Sequence, residues 1–473
     1  MTAPTPTAPA HGPMTERAPA RFGEEVRALL TLALPLAFAN LVQMAIYVTD
    51  VLFIARLGER ALASATLAVN LLMVGNQFIM GVVSACAPLI AATLGAHRHA
   101  VRDVRRSVRM ALWLATLLCL PVWALLAASP LWFALMGQDA GVSADASLFL
   151  KVVMVGIWPA SLFVVMRQTV SALERPTWGL WATILMLVVN LVGNYMLVFG
   201  HWGAPALGLT GSAIASVLAH LSGCLMLGAV LLGHRHFRRY HLFGRWWRPD
   251  WLRTLRLLHV GIPIAMTVLF ETAVFAAAAF LMGRIGVTDV AAHAIALQIA
   301  ALAFMVPLGV SQAATIRVGY AYGAGDRRWI ARAGHAALLV GIGFMALTAM
   351  LFWIAPAWPI AAYVDTADPA NAALVAKAAA FITIAGVFQL ADGAQVVGAG
   401  LLRGLQDTKV PMLFAAFGYW VLGFGTAVAL GLYSPLAGRG VWMGLALGLM
   451  IVALLMIHRW HNREKLGLTP TFH

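Results

Sequence analysis

The sequence predicts an all-α polytopic membrane protein: twelve transmembrane helices in two pseudo-symmetric six-helix bundles, related as parallel repeats about an axis along the membrane normal. Three observations carry that prediction. Of 473 residues, 62% are hydrophobic and 11% charged, with a mean hydropathy of +0.85, whereas roughly a quarter of a soluble domain is charged. Apolar runs of about twenty residues, the length that crosses a bilayer, recur along the whole chain. The halves also repeat. Shifting the first by 228 residues without a gap lays Pro35 on Pro263, Arg56-Leu57-Gly58 on Arg284-Ile285-Gly286, Gly81-Val82 on Gly309-Val310, and Gly95-Ala96 on Gly323-Ala324.

The opening stretch, 1–27, is rich in Pro and Ala and lacks an apolar core, so it reads as a disordered cytoplasmic tail and not as a secretory signal. Spans are expected near 28–56, 65–93, 110–134, 148–173, 177–200 and 211–233, which make an N-terminal lobe over 28–233. The basic connection HRHFRRYHLFGRWWRPDWLRTLRLLH, 234–259, is a cytoplasmic inter-lobe linker. A C-terminal lobe over 260–458 holds spans near 260–284, 290–318, 335–356, 375–402, 410–432 and 436–458, and 459–473 is a second cytoplasmic tail. Six spans per repeat is an even number, so both repeats start on the same side of the membrane. Such architecture offers a substrate site between the halves near the bilayer midplane.

Charge orients the chain. Of 32 Lys and Arg, six fall on the expected outer loops (Arg56, Arg60, Lys151, Arg284, Lys377 and Arg439), Arg167 and Arg317 fall within spans, and the remaining 24 are cytoplasmic. That asymmetry follows the positive-inside rule and predicts cytoplasmic termini. It also accounts for the net charge of +14. The basic residues are dispersed over membrane-flanking segments, which suits membrane lipid as a partner and argues against nucleic acid. Cys86, Cys119 and Cys224 all lie in apolar spans and imply neither a disulfide framework nor a metal site.

Three acids fall inside spans: Asp50, Glu271 and Asp392. Each has polar company. Asn40, Gln43, Tyr47 and Asp50 are spaced 3, 4 and 3, which puts them on one helix face. Gln389, Asp392 and Gln395 follow at intervals of three, Asn190 and Asn194 are four apart, and Thr267 lies one turn before Glu271. Asn, Gln, Ser and Thr in spans often join helices by hydrogen bonds. A buried carboxylate is different. Without a basic partner it must be protonated, hydrated or bound to a cation, and Arg167 and Arg317 both sit toward the cytoplasmic ends. The three acids are therefore candidate sites for a coupling ion or a cationic substrate. His220 and His293 lie within or near spans, where imidazole can carry protons, although a packed histidine is the commoner outcome.

LPLAFANLVQMAIYVTDVLFIARLG (34–58), NLVGNYMLVFG (190–200), PLGVSQAATIRVGYAYGAGD (307–326) and FQLADGAQVVGAGLLRGLQDTKVP (388–411) resemble the multidrug and toxic compound extrusion (MATE) transporters, over roughly residues 28–458. The resemblance implies a V-shaped cavity between two six-helix bundles and export of drugs in exchange for H⁺ or Na⁺. It also implies the NorM-like branch, whose acids in the first, seventh and tenth spans match Asp50, Glu271 and Asp392 and whose Asn pair matches Asn190 and Asn194. The DinF-like branch tends to carry an aspartate where this chain has Asn194. In the resemblance, Glu271 and Asp392 form the cation pair of the second lobe, with Na⁺ as one occupant. Phe388, where some NorM-like proteins have a tyrosine, removes one oxygen from that set. Asn40, Gln43, Tyr47, Asn190, Asn194, Gln389 and Gln395 are expected to line the polar interior. The implied protein is a monomeric antiporter with no cofactor beyond its coupling ion, acting on lipophilic cations. Two rivals are a lipid-linked saccharide flippase of the same superfamily, which calls for arginines in the cavity, and an intramembrane enzyme, which calls for a nucleophile–base pair or metal ligands at depth.

Overall fold

In the computed structural model, residues 21–97, 100–244 and 247–469 are described, so most of the predicted tail 1–27 and the end of the tail 459–473 lie outside the described residues. Among the described residues, twelve helices are long and apolar enough to span a bilayer. In the first half they are α1 (Phe22–Ala55), α2 (Glu59–Ala96), α3 (Val101–Ala127), α4 (Ala140–Ala172), α5 (Thr177–Phe199) and α6 (Leu209–Gly233). In the second they are α7 (Trp251–Ile285), α8 (Val287–Ala324), α9 (Arg327–Ile354), α10 (Pro369–Gly404), α11 (Lys409–Leu432) and α12 (Gly438–His461). Every expected span meets one helix. α8 has 38 residues; at 1.5 Å per residue it is about 57 Å long, well beyond the roughly 30 Å of hydrocarbon.

Local chemistry sets several ends. Asp326 accepts the Trp329 backbone N–H at 2.9 Å and caps α9, Asp139 caps α4 through Gly141 and Val142, and Asp250 caps α7 through Arg253. α8 stops at Gly325, whose φ of +72° is left-handed. The expected boundaries move at three places. α1 opens at Phe22, inside the stretch read as a tail, because FGEEVRALL is amphipathic and escapes an apolar window. The linker is shorter than 234–259, since a helical turn occupies Arg235–Arg238 and α7 begins at Trp251. Beyond α12, Arg463 and Thr469 are buried, so this end of the chain packs on the lobe.

The repeat governs how the lobes meet. A Cβ on Gly81 would lie 2.4 Å from the Ala265 backbone, and one on Gly309 would lie 2.6 Å from the Ala37 backbone. The shift of 228 carries the first contact onto the second. Likewise Gly95 meets the Tyr320 carbonyl and Gly323 meets the Ala92 carbonyl, at 2.1 and 1.9 Å from an added Cβ. Each glycine is required because one backbone lies against the other. These contacts run from the level of Gly81 and Gly309 toward the side on which α1 begins and α12 ends.

Two charged clusters reinforce that side. Glu25, fully buried on α1, accepts Arg317 Nε at 2.8 Å, Arg317 Nη2 at 2.7 Å and Trp329 Nε1 at 3.0 Å from the opposite lobe. Arg253, at the repeat-equivalent position on α7, donates to the Asp103 carboxylate, to the Asp103 carbonyl and to Ser107 Oγ on α3, the latter two at 2.9 Å.

Candidate functional site

In the N-terminal lobe, Asp50 sits in a cage. Asn190 and Asn194 each donate to its Oδ1 at 2.8 Å, and Ser216 donates to Oδ2 at 2.8 Å. The four-residue spacing on α5 stacks the two amides on one face toward α1. Their own Oδ1 atoms are buried without a hydrogen-bond partner among the described residues. His220, one turn beyond Ser216, holds the Ser216 carbonyl through Nδ1 at 2.8 Å and is within electrostatic reach of Asp50. Ser212, Ser216 and His220 recur every four residues on α6, a polar stripe that the reading of the sequence passed over.

The stripe on α1 does not converge. Asn40 bridges the lobes weakly, donating to Gln312 Oε1 and accepting from Arg167, both at 3.5 Å. Gln43 is half-buried and Tyr47 is exposed. Only Asp50 of this stripe joins the cage.

In the C-terminal lobe the depth of the site is set by α8 and α10, which run side by side in the same direction. Lys377 meets Asp289 at 2.6 Å, Gln389 Nε2 donates to the Ala300 carbonyl at 3.4 Å, Ser311 to the Val396 carbonyl at 2.6 Å, and Thr315 to the Gly400 carbonyl at 2.9 Å. Asp392 lies within this ladder, buried, with Oδ1 unpartnered among the described residues. Gln389 and Gln395 are buried on either side of it, each with Oε1 unpartnered. Glu271, half-buried on α7, is the charged neighbour of Asp392. One turn below it Thr267 returns its hydroxyl to the Pro263 carbonyl at 2.8 Å. Phe388 packs its ring on Phe275 and Trp442 at centroid distances of 5.9 and 5.6 Å.

Two groups near this pair were missed from sequence. Arg403, one residue beyond the expected tenth span, is within electrostatic reach of Glu271, so the view that only Arg167 and Arg317 bring positive charge into the spans is corrected. Arg317 itself is committed to Glu25, an acid that the expected tail had hidden. Tyr419 on α11 is fully buried, within electrostatic reach of Glu271 and Asp392. The structure thus brings Glu271 and Asp392 together and keeps Asp50 apart from them, in the other lobe.

The MatE family model matches this chain twice, over residues 35–196 and 263–428, and the two matches start 228 residues apart, the interval of the repeat. The chain belongs to the MatE family. It is 45% identical over 442 residues to the "Probable multidrug resistance protein NorM" of Brucella suis, covering 93% of this chain and 94% of that one. It is 38% identical over 461 residues to the "Multidrug resistance protein NorM" of Burkholderia vietnamiensis, covering 95% and 97%. Among solved structures, a MATE family transporter of the MOP superfamily in an outward-facing conformation superposes with a TM-score of 0.84 at 19% identity, covering 94% of this chain and 97% of that one. The eukaryotic MATE transporter AtDTX14 gives 0.81 at 19%, covering 94% and 99%. At that identity the MatE fold is what is shared. The protein is an integral membrane transporter and not an enzyme.

Proposed function

We propose that this MatE protein is a secondary antiporter that exports lipophilic cationic drugs in exchange for inward-moving H⁺ or Na⁺, acting as a monomer in the bacterial inner membrane with both chain ends in the cytoplasm. The observation that carries the reading is Asp392: a buried carboxylate with an unpartnered oxygen, flanked along α10 by two residues with unpartnered amide oxygens and within electrostatic reach of a second carboxylate, Glu271. Two acids held together at depth favour whatever cation reaches them, and inward movement of one charge gains about 2.3 kcal/mol per 100 mV of membrane potential. The relatives named for multidrug resistance support drugs as the cargo. With the chain ends cytoplasmic, the glycine contacts and the Glu25 cluster seal the inner side, which is the outward-facing arrangement. An ion that binds this state better than the inward-facing one shifts the balance between them, and without such differential affinity no coupling arises. Asp50, caged by donors in the other lobe, is the second coupling candidate and a fixed acceptor facing a cationic drug.

A saccharide-lipid flippase draws less support, because Arg317 is bonded to Glu25 and Arg167 to Asn40. The deciding experiment is ethidium efflux from energised vesicles under an imposed H⁺ gradient and, separately, an imposed Na⁺ gradient. Wild type should respond to at least one gradient, and Glu271→Gln and Asp392→Asn should each lose that response by a factor of about 100 at normal expression. Undiminished efflux in both variants overturns the assignment of the carboxylates.

A further inference from the structure

Where the linker passes from one lobe to the other, positive charge gathers that the coupling scheme above does not use. The linker is anchored in the core by Phe237, Tyr240 and Leu242, all buried. Beyond them Gly244 passes beside α3, where a Cβ on it would lie 3.8 Å from Arg105 Nη1. One residue on from Arg105, Arg106 Nε donates to Asp250 Oδ2 at 2.8 Å. Arg109, one turn further along α3 and buried, is within electrostatic reach of Arg105, Arg106, Arg248 and Asp250. Both carboxylates of the cluster are already engaged: Asp250 by Arg106 and by Arg253 at 3.3 Å, and Asp103 by Arg253. Five guanidinium groups thus meet two carboxylates, a surplus of three positive charges. Arg105 Nε is buried and has no hydrogen-bond partner among the described residues. A charged group with a buried donor left unmade is costly and calls for an explanation, such as a ligand.

The surroundings define the ligand. Guanidinium groups recognise the oxygens of phosphates. Trp251 and Leu252, which lie between Asp250 and Arg253 in the chain, are 66% and 80% exposed, and Leu255 is 62% exposed. Ile262, also exposed, continues this face along α7 into the span. A soluble anion has no use for such a face. A phospholipid has: its phosphate meets the arginines, its chains cover the apolar residues, and tryptophan suits the headgroup level between them. The surplus of positive charge favours an anionic headgroup over a zwitterionic one. We propose that Arg105, Arg109 and Arg248 form a headgroup site for an anionic phospholipid whose acyl chains lie along the Trp251–Leu255 face of α7. Because α3 and α7 belong to opposite lobes, the bound lipid bridges them.

The test is the melting temperature of the purified, delipidated full-length protein in detergent. It is titrated with phosphatidylglycerol, with phosphatidylcholine of the same acyl chains and, separately, with inorganic phosphate. A ligand that binds the native state raises the melting temperature as its concentration passes the dissociation constant. Phosphatidylglycerol should stabilise wild type, and the other two should not. Arg105→Gln combined with Arg248→Gln should raise the phosphatidylglycerol midpoint about thirtyfold, and Arg248→Gln alone, at an exposed position, about fivefold. The control is Arg327→Gln combined with Arg328→Gln, which removes two exposed arginines at the start of α9 on the same side. Its midpoint should stay within about twofold of wild type. If the first double variant does not fold, Arg248→Gln alone decides, and an unchanged midpoint there overturns the proposal. Equal stabilisation by phosphatidylcholine would mean apolar contact only, and equal stabilisation by phosphate a soluble-anion site. An equal shift in the control would mean diffuse attraction. Each of these three results also overturns it.

Discussion

The two lobes descend from one repeat, yet they treat their buried acids in opposite ways. Asp50 is met by three donors at 2.8 Å, from Asn190, Asn194 and Ser216. Asp392 keeps an oxygen unpartnered, and its charged neighbour is another acid. A carboxylate wrapped in donors is part of the scaffold as well as of any site. One left bare beside a like charge is destabilising until something joins it. The contrast recurs where the lobes meet. Positions 25 and 253 are equivalent in the repeat, but Glu25 forms a buried cluster with Arg317 and Trp329, whereas Arg253 and Asp103 pair at a partly exposed edge.

The largest effect is expected at the buried cluster. Arg317→Ala strands Glu25 as an uncompensated charge with no exposed surface, at a cost of about 3–5 kcal/mol. It should also loosen the closed side of the molecule. Spin labels on the ends of α1 and α9 that carry the chain-end side, read by distance measurement, should report a wider and more populated open state. Unchanged distances and an unchanged melting temperature would mean that the cluster is decoration.

Next come the acids themselves, tested for stability instead of transport. Asp50→Leu leaves three donors without their acceptor and should cost about 3 kcal/mol. Asp392→Leu removes a group with an orphaned oxygen and a like-charged neighbour, so the protein should stay within about 1 kcal/mol of wild type. Thermal unfolding of both variants in the same detergent decides it. The pair should cross over in function: Asp392→Leu stays folded but loses gradient-driven efflux. If the two variants are equally unstable, the difference drawn between the lobes is wrong.

The fold was legible because apolar length and the 228-residue repeat are both one-dimensional signals. The acids were legible for a related reason: a lone carboxylate in an apolar run costs too much to be accidental. Spacing likewise gave Asn190 and Asn194, and it was available for Ser216 through the stripe on α6. What stayed hidden depended on packing between helices far apart in the chain. Tyr419 is one tyrosine in an apolar run, and only the fold brings it within electrostatic reach of Glu271 and Asp392. Glu25 was hidden by its polar first turns, and Arg403 by lying one residue past a boundary. The stripe of Asn40, Gln43, Tyr47 and Asp50 shows the opposite failure. Shared helical facing was real, but the face turns past several neighbours on its way across the membrane, so its members serve different contacts.

The smallest effect is expected at the exposed counterpart of the Glu25 cluster. Asp103 is 36% exposed and Arg253 25%, and the arginine has other acceptors: the Asp103 carbonyl, Ser107 Oγ and Asp250 at 3.3 Å. Asp103→Asn keeps the carbonyl contact and removes one charge, so its loss should be shared among these partners. Exposed pairs contribute about 0.2–1 kcal/mol, and salt screens them. The double-mutant cycle of Asp103→Asn with Arg253→Gln should therefore give a coupling of about 0.5 kcal/mol that fades at high ionic strength. The corresponding cycle of Glu25→Gln with Arg317→Gln should be several times larger and insensitive to salt. Burial separates two positions that the repeat makes equivalent, and the salt dependence isolates that variable. Equal couplings with equal salt dependence would show that the lobes hold each other symmetrically and that exposure is not what distinguishes them.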